Sequence, residues 1–269
     1  MRIVYYANFH NQGSDDTEGH IARALTELGH EVIKVDLGEE CPEGDMLLFH
    51  KGHPDNFKGI KVCWYFDKVW SDLRKNYIKN TLAWTDYLFI TDETYTIEHP
   101  HPKFRIMRQG IGDSMTGAKF KTDAKIAFVG SVYGDRHGFA QELYKEFGDD
   151  FQVFSNYFNR NLNNLCASVP IFVAPIYPSD DHYWSNRVYI ITGSGGFLLH
   201  PRLKGLEAEY EDGKEIVFYD GMADLKRKIH YYLDHPEERE AIRFFGHKKT
   251  RENYTYKKRI EQIIAHCSK

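Results

Sequence analysis

The chain has 269 residues, 42% hydrophobic and 28% charged, which suits one large or two modest domains with buried cores. Its net charge of −4 gives no broad electrostatic reason to bind nucleic acid; residues 1–112 hold 13 Lys/Arg against 17 Asp/Glu, and residues 113–269 hold 22 of each. No apolar run approaches the roughly 20 residues of a membrane helix, and MRIVYYAN reads as a strand rather than a signal peptide. Cys41, Cys63, Cys166 and Cys267 are isolated, without metal spacing or a disulfide framework, so a soluble, cytoplasmic protein is expected.

Residues 2–7 read as a first buried strand, followed by a polar loop over 8–16 and a helix over 17–28 that ends at Gly29. Strands follow at 31–35, 45–49 and 60–66, then a helix over 69–83 and strands at 87–90 and 104–107. Strands alternating with helices predict βαβ units and a mostly parallel sheet. The stretch 109–123 holds Gly110, Gly112 and Gly117 and few apolar residues, so a linker is placed there. A second strand-first pattern then begins, with strands at 125–129, 151–154 and 171–174 and helices at 137–147 and 160–167. A short helix over 188–192 turns through Gly193-Ser194-Gly195-Gly196 into strands at 197–199 and 216–219. Helices over 222–233 and from Pro236 follow, and Thr255 is placed to cap a terminal helix to about His266. The predicted domains are 1–112, 113–254 and a terminal helical segment 255–269 packing back toward the first.

Open α/β sheets bind ligands beyond the carboxyl ends of their strands, so residues just after strands carry the candidate chemistry. Gly130, Ser131 and Arg136 lie in the loop GSVYGDR directly after the strand IAFV; the loop is either a phosphate cradle or a simple turn. It is neither the G-x-G-x-x-G fingerprint nor a P-loop. Asn186 and Arg187 open the short helix, where a guanidinium can fork onto phosphate oxygens. Gly195 and Gly196 would let the backbone approach a ligand, or simply close the helix. Asp67, just after KVCWYF, is either a general base or a cap for the helix at 69. Asp15, Asp16, Glu18 and His20 follow the first strand; Asp16 or Thr17 suits a cap, leaving Glu18 and His20 in the first turn. Lys68, Arg74, Lys75 and Lys79 form a basic patch or a solvated helix face. No metal is expected: among the 14 histidines there is no H-E-x-x-H and no Cys/His ligand spacing, and His10, His50 and His53 lack a carboxylate set. No G-x-S-x-G elbow supports a serine hydrolase.

The segments FVGSVYGDR, SNRVYIITGSGGFLLHP and EYEDGKEIVFYDGMADLKRKIHYYLDHPEEREAIRFFG, with the terminal TYKKR, resemble the group 1 glycosyltransferases, especially the branch like spore maturation protein CgeB. More faintly, the whole chain resembles the phage DNA β-glucosyltransferase, with VCWYFD matching the strand that ends in the catalytic aspartate. The resemblance implies an α/β chain of GT-B fold, two Rossmann-like domains facing a central cleft. It implies that the second domain binds a nucleotide-diphosphate sugar, most simply a UDP-sugar as co-substrate, with no bound cofactor and no metal. Arg136 and Arg187 would neutralise the leaving diphosphate, Asp67 would take the acceptor proton in an inverting reaction, and Glu18 aligns with a first-loop glutamate. Related sequences carry a ribose-gripping glutamate three residues after Arg187, where this chain has Ile190. The acceptor stays open, hydroxymethylated DNA included. Rival readings are a sugar-nucleotide epimerase or hydrolase, and a non-catalytic sugar-nucleotide binder.

Overall fold

The structure, a computed structural model, describes residues 1–9, 16–52, 54, 56–113, 115–157, 159–175 and 181–268. His10, Asp15 and His53, among the candidates above, lie outside the described residues. The chain divides into two compact units, Met1–Asp113 with Tyr254–Lys269, and Ser114–Asn253.

The first unit is built on six parallel strands: β1 (Arg2–Ala7), β2 (Glu31–Asp36), β3 (Met46–Phe49), β4 (Ile60–Tyr65), β5 (Tyr87–Ile90) and β6 (Phe104–Ile106), ordered β2-β1-β3-β4-β5-β6. Both faces are covered, as near-continuous apolar runs such as IVYY and MLLF require. On one face α1 (Thr17–Glu27) packs Ile21, Ala22 and Leu25 against Ile3, Tyr5, Leu48 and Trp64. The other face buries Val4, Tyr6, Leu47, Phe49 and Ile78 of α2 (Asp72–Trp84). Asp16 caps α1, its carboxylate accepting the Gly19 N–H at 2.5 Å.

The second unit has five parallel strands: β7 (Ile126–Val129), β8 (Phe151–Phe154), β9 (Ile171–Val173), β10 (Leu198–Pro201) and β11 (Val217–Tyr219), ordered β11-β10-β9-β7-β8. Its helices are α4 (Arg136–Phe147), α5 (Asn159–Ser168), α6 (Arg187–Gly193), α7 (Leu206–Glu209), α8 (Gly221–Asp234) and α9 (Pro236–Asn253). After α9 the chain rejoins the first unit: Ile111 donates its N–H to the Tyr254 carbonyl and accepts from Tyr256 N–H, both at 2.9 Å. Thr255 caps α10 (Tyr256–Cys267), which lays Tyr256, Ile260 and Ile263 on the α1 side of the sheet.

Three expectations change. The helix expected from residue 69 begins at Asp72, because Ser71 caps it and the Val69 N–H is taken by the Asp92 carboxylate at 2.8 Å. Asp92 also caps α3 (Glu93–Glu98), a helix the periodicity did not announce. The expected linker at 109–123 is closely packed: a side chain at Gly110 would strike the Tyr254 carbonyl, at Gly112 the His20 ring, and at Gly117 the Asn163 carbonyl. These glycines serve close approach, not slack. Among the described residues no helix is long and apolar enough to cross a membrane, and no group of three or more His, Cys, Asp or Glu could hold a metal ion.

Candidate active site

Each sheet has one place where neighbouring strands continue in opposite directions in chain order, and loops leaving their carboxyl ends diverge there. In the second unit that place is β7, flanked by β8 and β9. The loop after β7 starts at Gly130, whose φ of +145° excludes ordinary side chains. A methyl at Gly130 would lie 3.1 Å from Nη2 of Arg187, which arrives from the segment after β9. The loop thus closes onto a guanidinium from the far side of the switch point.

Arg136, first residue of α4, folds back over the same loop. Its Nη1 donates to the Ser131 carbonyl at 3.0 Å, and its guanidinium lies 4.4 Å from the Tyr133 ring centroid. It is buried, at 8% exposure, while Ser131 itself is exposed. Burial and the positive charge of Arg187 both draw the Arg136 pKa below its ordinary value. Burial lowers that of Arg187 as well, while the phenols of Tyr133 and Tyr183 favour its charge. Arginine nevertheless stays protonated at neutral pH. Two like charges are therefore held around one glycine loop, and among the described residues no carboxylate forms a salt bridge with Arg187. Such a pair lowers its energy by binding an anion.

The helix end contributes less than the sequence suggested. α6 has only seven residues, Asn186 before it is itself helical (φ −52°, ψ −20°), and its side chain makes no capping bond. The guanidinium, rather than the dipole of so short a helix, is what Asn186-Arg187 brings to the loop. The lead-in is pinned by Trp184, whose indole N–H reaches the Tyr189 hydroxyl at 2.8 Å; that hydroxyl donates to Glu209 at 2.6 Å.

Gly195 and Gly196 do not join this group. They lie at the opposite end of α6, in the turn entering the amino end of β10. A side chain at Gly196 would collide with Ile191 (2.6 Å), and Arg243 of α9 donates to the Gly195 carbonyl and to the carbonyls of Cys166 and Ala167. Packing of α6 against β10 accounts for Gly196, and a φ of +81° in the turn that ends α6 accounts for Gly195.

In the first unit the switch point lies at β1, between β2 and β3. Glu18 stands in the first turn of α1, half-buried; burial and the nearby Asp16 carboxylate push its pKa up, and Lys51 opposes them. Asp67 follows β4 and is 39% exposed, with Arg74 Nη2 at 3.5 Å and Lys51 Nζ at 3.7 Å from its Oδ2. Lys51 is therefore a neighbour common to both candidate carboxylates. Asp67 does not cap α2; its partners are these two cations. Beneath them, buried His50 accepts from the Tyr5 hydroxyl at Nε2, because its Nδ1 must donate to the Trp64 carbonyl at 2.9 Å. Burial depresses the His50 pKa to about 3, so the ring is neutral. His20 is not part of the site: it is buried at 3% exposure and stacks on Tyr256. Of the basic patch, Arg74 turns inward, donating to the Lys68 carbonyl at 2.7 Å, whereas Lys75 and Lys79 are exposed. Sequence reasoning missed Tyr133, Tyr183 and Lys51; only the aromatic residue inside GSVYGDR offered a signal.

Residues 114–265 match the family model described as glycosyl transferase-like. The chain belongs to that family. A comparison with curated proteins found no significant match. Solved structures match this glycosyltransferase over its whole length. Sucrose-phosphate synthase from Thermosynechococcus elongatus is 9% identical, with a TM-score of 0.71, covering 99% of each chain. Anabaena Alr3699/HepE, solved in complex with UDP-glucose, is 10% identical, with a TM-score of 0.69, covering 100% of this chain and 99% of its own. A glycosyltransferase from Rickettsia africae is 10% identical, with a TM-score of 0.67, covering 98% and 97%. At these identities the likeness carries the fold, which is GT-B.

Proposed function

We propose that this glycosyltransferase moves a sugar from a UDP-sugar to an acceptor hydroxyl without a metal ion. The observation that carries the reading is the pair Arg136 and Arg187 around Gly130 at the switch point of the second unit. Two guanidiniums supply the charge a departing diphosphate needs, a task that a metal performs elsewhere. The UDP-glucose complex of Alr3699/HepE, on the same fold, favours uridine as the base. Gly130, Ser131, Arg136, Asn186 and Arg187 form the proposed donor site; Gly196 is assigned to packing and Gly195 to the turn that ends α6.

In the proposed displacement the acceptor oxygen bonds to the anomeric carbon as the bond from that carbon to the β-phosphate oxygen breaks. Asp67 accepts the hydroxyl proton, and UDP leaves with the electron pair and its charge met by the two arginines. Glu18, sharing Lys51 with Asp67, orients the acceptor hydroxyl. The net charge of −4 gives a duplex-DNA acceptor little to recommend it, since DNA binding rests on phosphate neutralisation. The free cysteines suit a reducing compartment such as the cytoplasm.

The deciding experiment is a donor screen with UDP-, GDP- and dTDP-sugars, read as nucleotide release and as thermal stabilisation by the free diphosphates. UDP should stabilise most, and the product anomer, read by NMR, should be inverted. Failure of all three diphosphates to stabilise the protein at millimolar concentration removes the proposal.

A further inference from the structure

The turn between β4 and α2 carries two large apolar side chains that the fold does not cover. Trp70 is 68% exposed and Leu73 is 82% exposed. Trp64 and Trp184 are buried and Trp84 is half-buried, so Trp70 is the most exposed indole among the described residues. It stands beside Arg74. Arg74 sets its guanidinium 5.7 Å from the Trp70 ring centroid, donates Nη1 to the Lys68 carbonyl at 2.7 Å, and reaches Asp67 with Nη2 at 3.5 Å. Ser71 caps α2 between them, accepting the Arg74 N–H at 3.4 Å. One short turn thus joins an open aromatic face, an aliphatic side chain, a guanidinium and the Asp67 carboxylate.

We infer that Trp70 is the acceptor-recognition platform, and that the acceptor it receives is a neutral saccharide whose ring packs on the indole while its hydroxyls reach Asp67 and Arg74. This rests on the reading of Asp67 as the acceptor-side base. Sugar rings present weakly polar C–H faces ringed by hydroxyls. An indole takes the face, and a carboxylate beside a guanidinium takes both ends of a hydroxyl's hydrogen-bonding capacity. Trp70 and Leu73 are exposed within four residues of each other and beside the Asp67–Arg74 pair, so apolar area and polar groups adjoin on one surface. Asp67 and Asp72 stand in the same turn as Lys68, Arg74 and Lys75, so a phosphate-bearing occupant would meet carboxylates as well as cations, whereas a neutral saccharide meets no like charge.

The test uses the full chain, with maltotetraose, cellotetraose and chitotetraose as neutral saccharide probes and a short hydroxymethylcytosine duplex as the contrary probe. Intrinsic tryptophan emission is titrated with each, and transfer is assayed with the preferred donor. At least one saccharide should shift and quench the emission, and Trp70→Phe should abolish that change. Trp70→Ala should raise the acceptor KM by about tenfold or more while UDP affinity stays at the wild-type value. Because Trp70 is exposed, both variants should fold, which thermal melting verifies. No response to any saccharide, an unaltered acceptor KM in Trp70→Ala, or a response to the duplex alone overturns the inference. If UDP fails to bind while saccharides still quench Trp70, the donor reading falls and the platform stands; if UDP binds and releases normally while Trp70→Ala changes nothing, the reverse holds.

Discussion

Arg187→Met removes the guanidinium beside Gly130, and with it one charge of the proposed diphosphate clamp, while keeping an unbranched apolar stem. A charged hydrogen bond contributes about 1.5–3 kcal/mol net, so losing one guanidinium should weaken UDP by roughly one to two orders of magnitude. The apo protein should respond in the opposite sense. Arg187 is half-buried beside a second guanidinium that its charge destabilises, and no described carboxylate forms a salt bridge with it. Deleting it relieves Arg136, so the apo melting temperature should hold or rise, whereas an arginine serving the fold would lower it. Isothermal titration with UDP and melting with and without UDP measure the two effects separately. UDP affinity within about threefold of wild type, or an apo loss above about 2 kcal/mol by urea unfolding, would refute the clamp.

Asp67→Asn should lower kcat by about 10²–10⁴ and leave UDP affinity unchanged, with an apo cost below about 1 kcal/mol, because its ion pairs are solvent-exposed. Gly130→Ala places a methyl 3.1 Å from Arg187 Nη2 at a φ of +145°; urea unfolding should show a loss of about 1–3 kcal/mol and UDP titration a parallel weakening. Glu18 has a folded pKa raised by burial, so the folded state holds its proton more tightly than the unfolded chain. Its contribution is most favourable below the unfolded pKa of about 4.3 and is lost as pH rises through the folded value, so Glu18→Gln should melt above wild type at pH 7 and converge with it near about pH 4. His50 and His200 are buried with pKa values depressed to about 3 and about 4. The unfolded chain binds both protons first as pH falls below about 6.5, so the unfolding free energy from urea titration should fall by at most about 2.7 kcal/mol per pH unit from these two between about pH 6 and pH 4; imidazoles that titrate near 6.5 by NMR would contradict this.

Element type was legible because each unit repeats one local rule. Apolar runs of four to six residues, closed by Gly29 or opened by caps such as Asp16 and Thr255, announce strand and helix without reference to anything distant. The α/β class follows from that alternation. What the sequence hid depends on partners far along the chain. α3 is six residues long and hangs on Asp92, whose other oxygen holds the Val69 N–H. The same bond moved the start of α2. The glycines of 109–123 look like slack, yet each makes room for a backbone or ring brought from elsewhere, namely Tyr254, His20 and Asn163. Composition cannot separate a glycine that flexes from one that admits a neighbour.

The site divides along the same line. Arg136 and Arg187 stand about fifty residues apart, and only the strand order β9-β7-β8 makes them neighbours at Gly130. Gly130 and Gly195 look equally suited to a phosphate in sequence, but one follows the carboxyl end of a strand and the other precedes an amino end. The direction of a parallel sheet separates them, because a ligand at one end is out of reach of glycines at the other. Position 190 extends the argument. The resemblance implies a ribose-binding carboxylate there, but Ile190 can offer the nucleotide only carbon. Next to it, Tyr189 is turned inward and committed to Trp184 and Glu209. The donor reading therefore rests on the charges that meet the diphosphate. The proposed uridine would have to be recognised by residues other than Ile190.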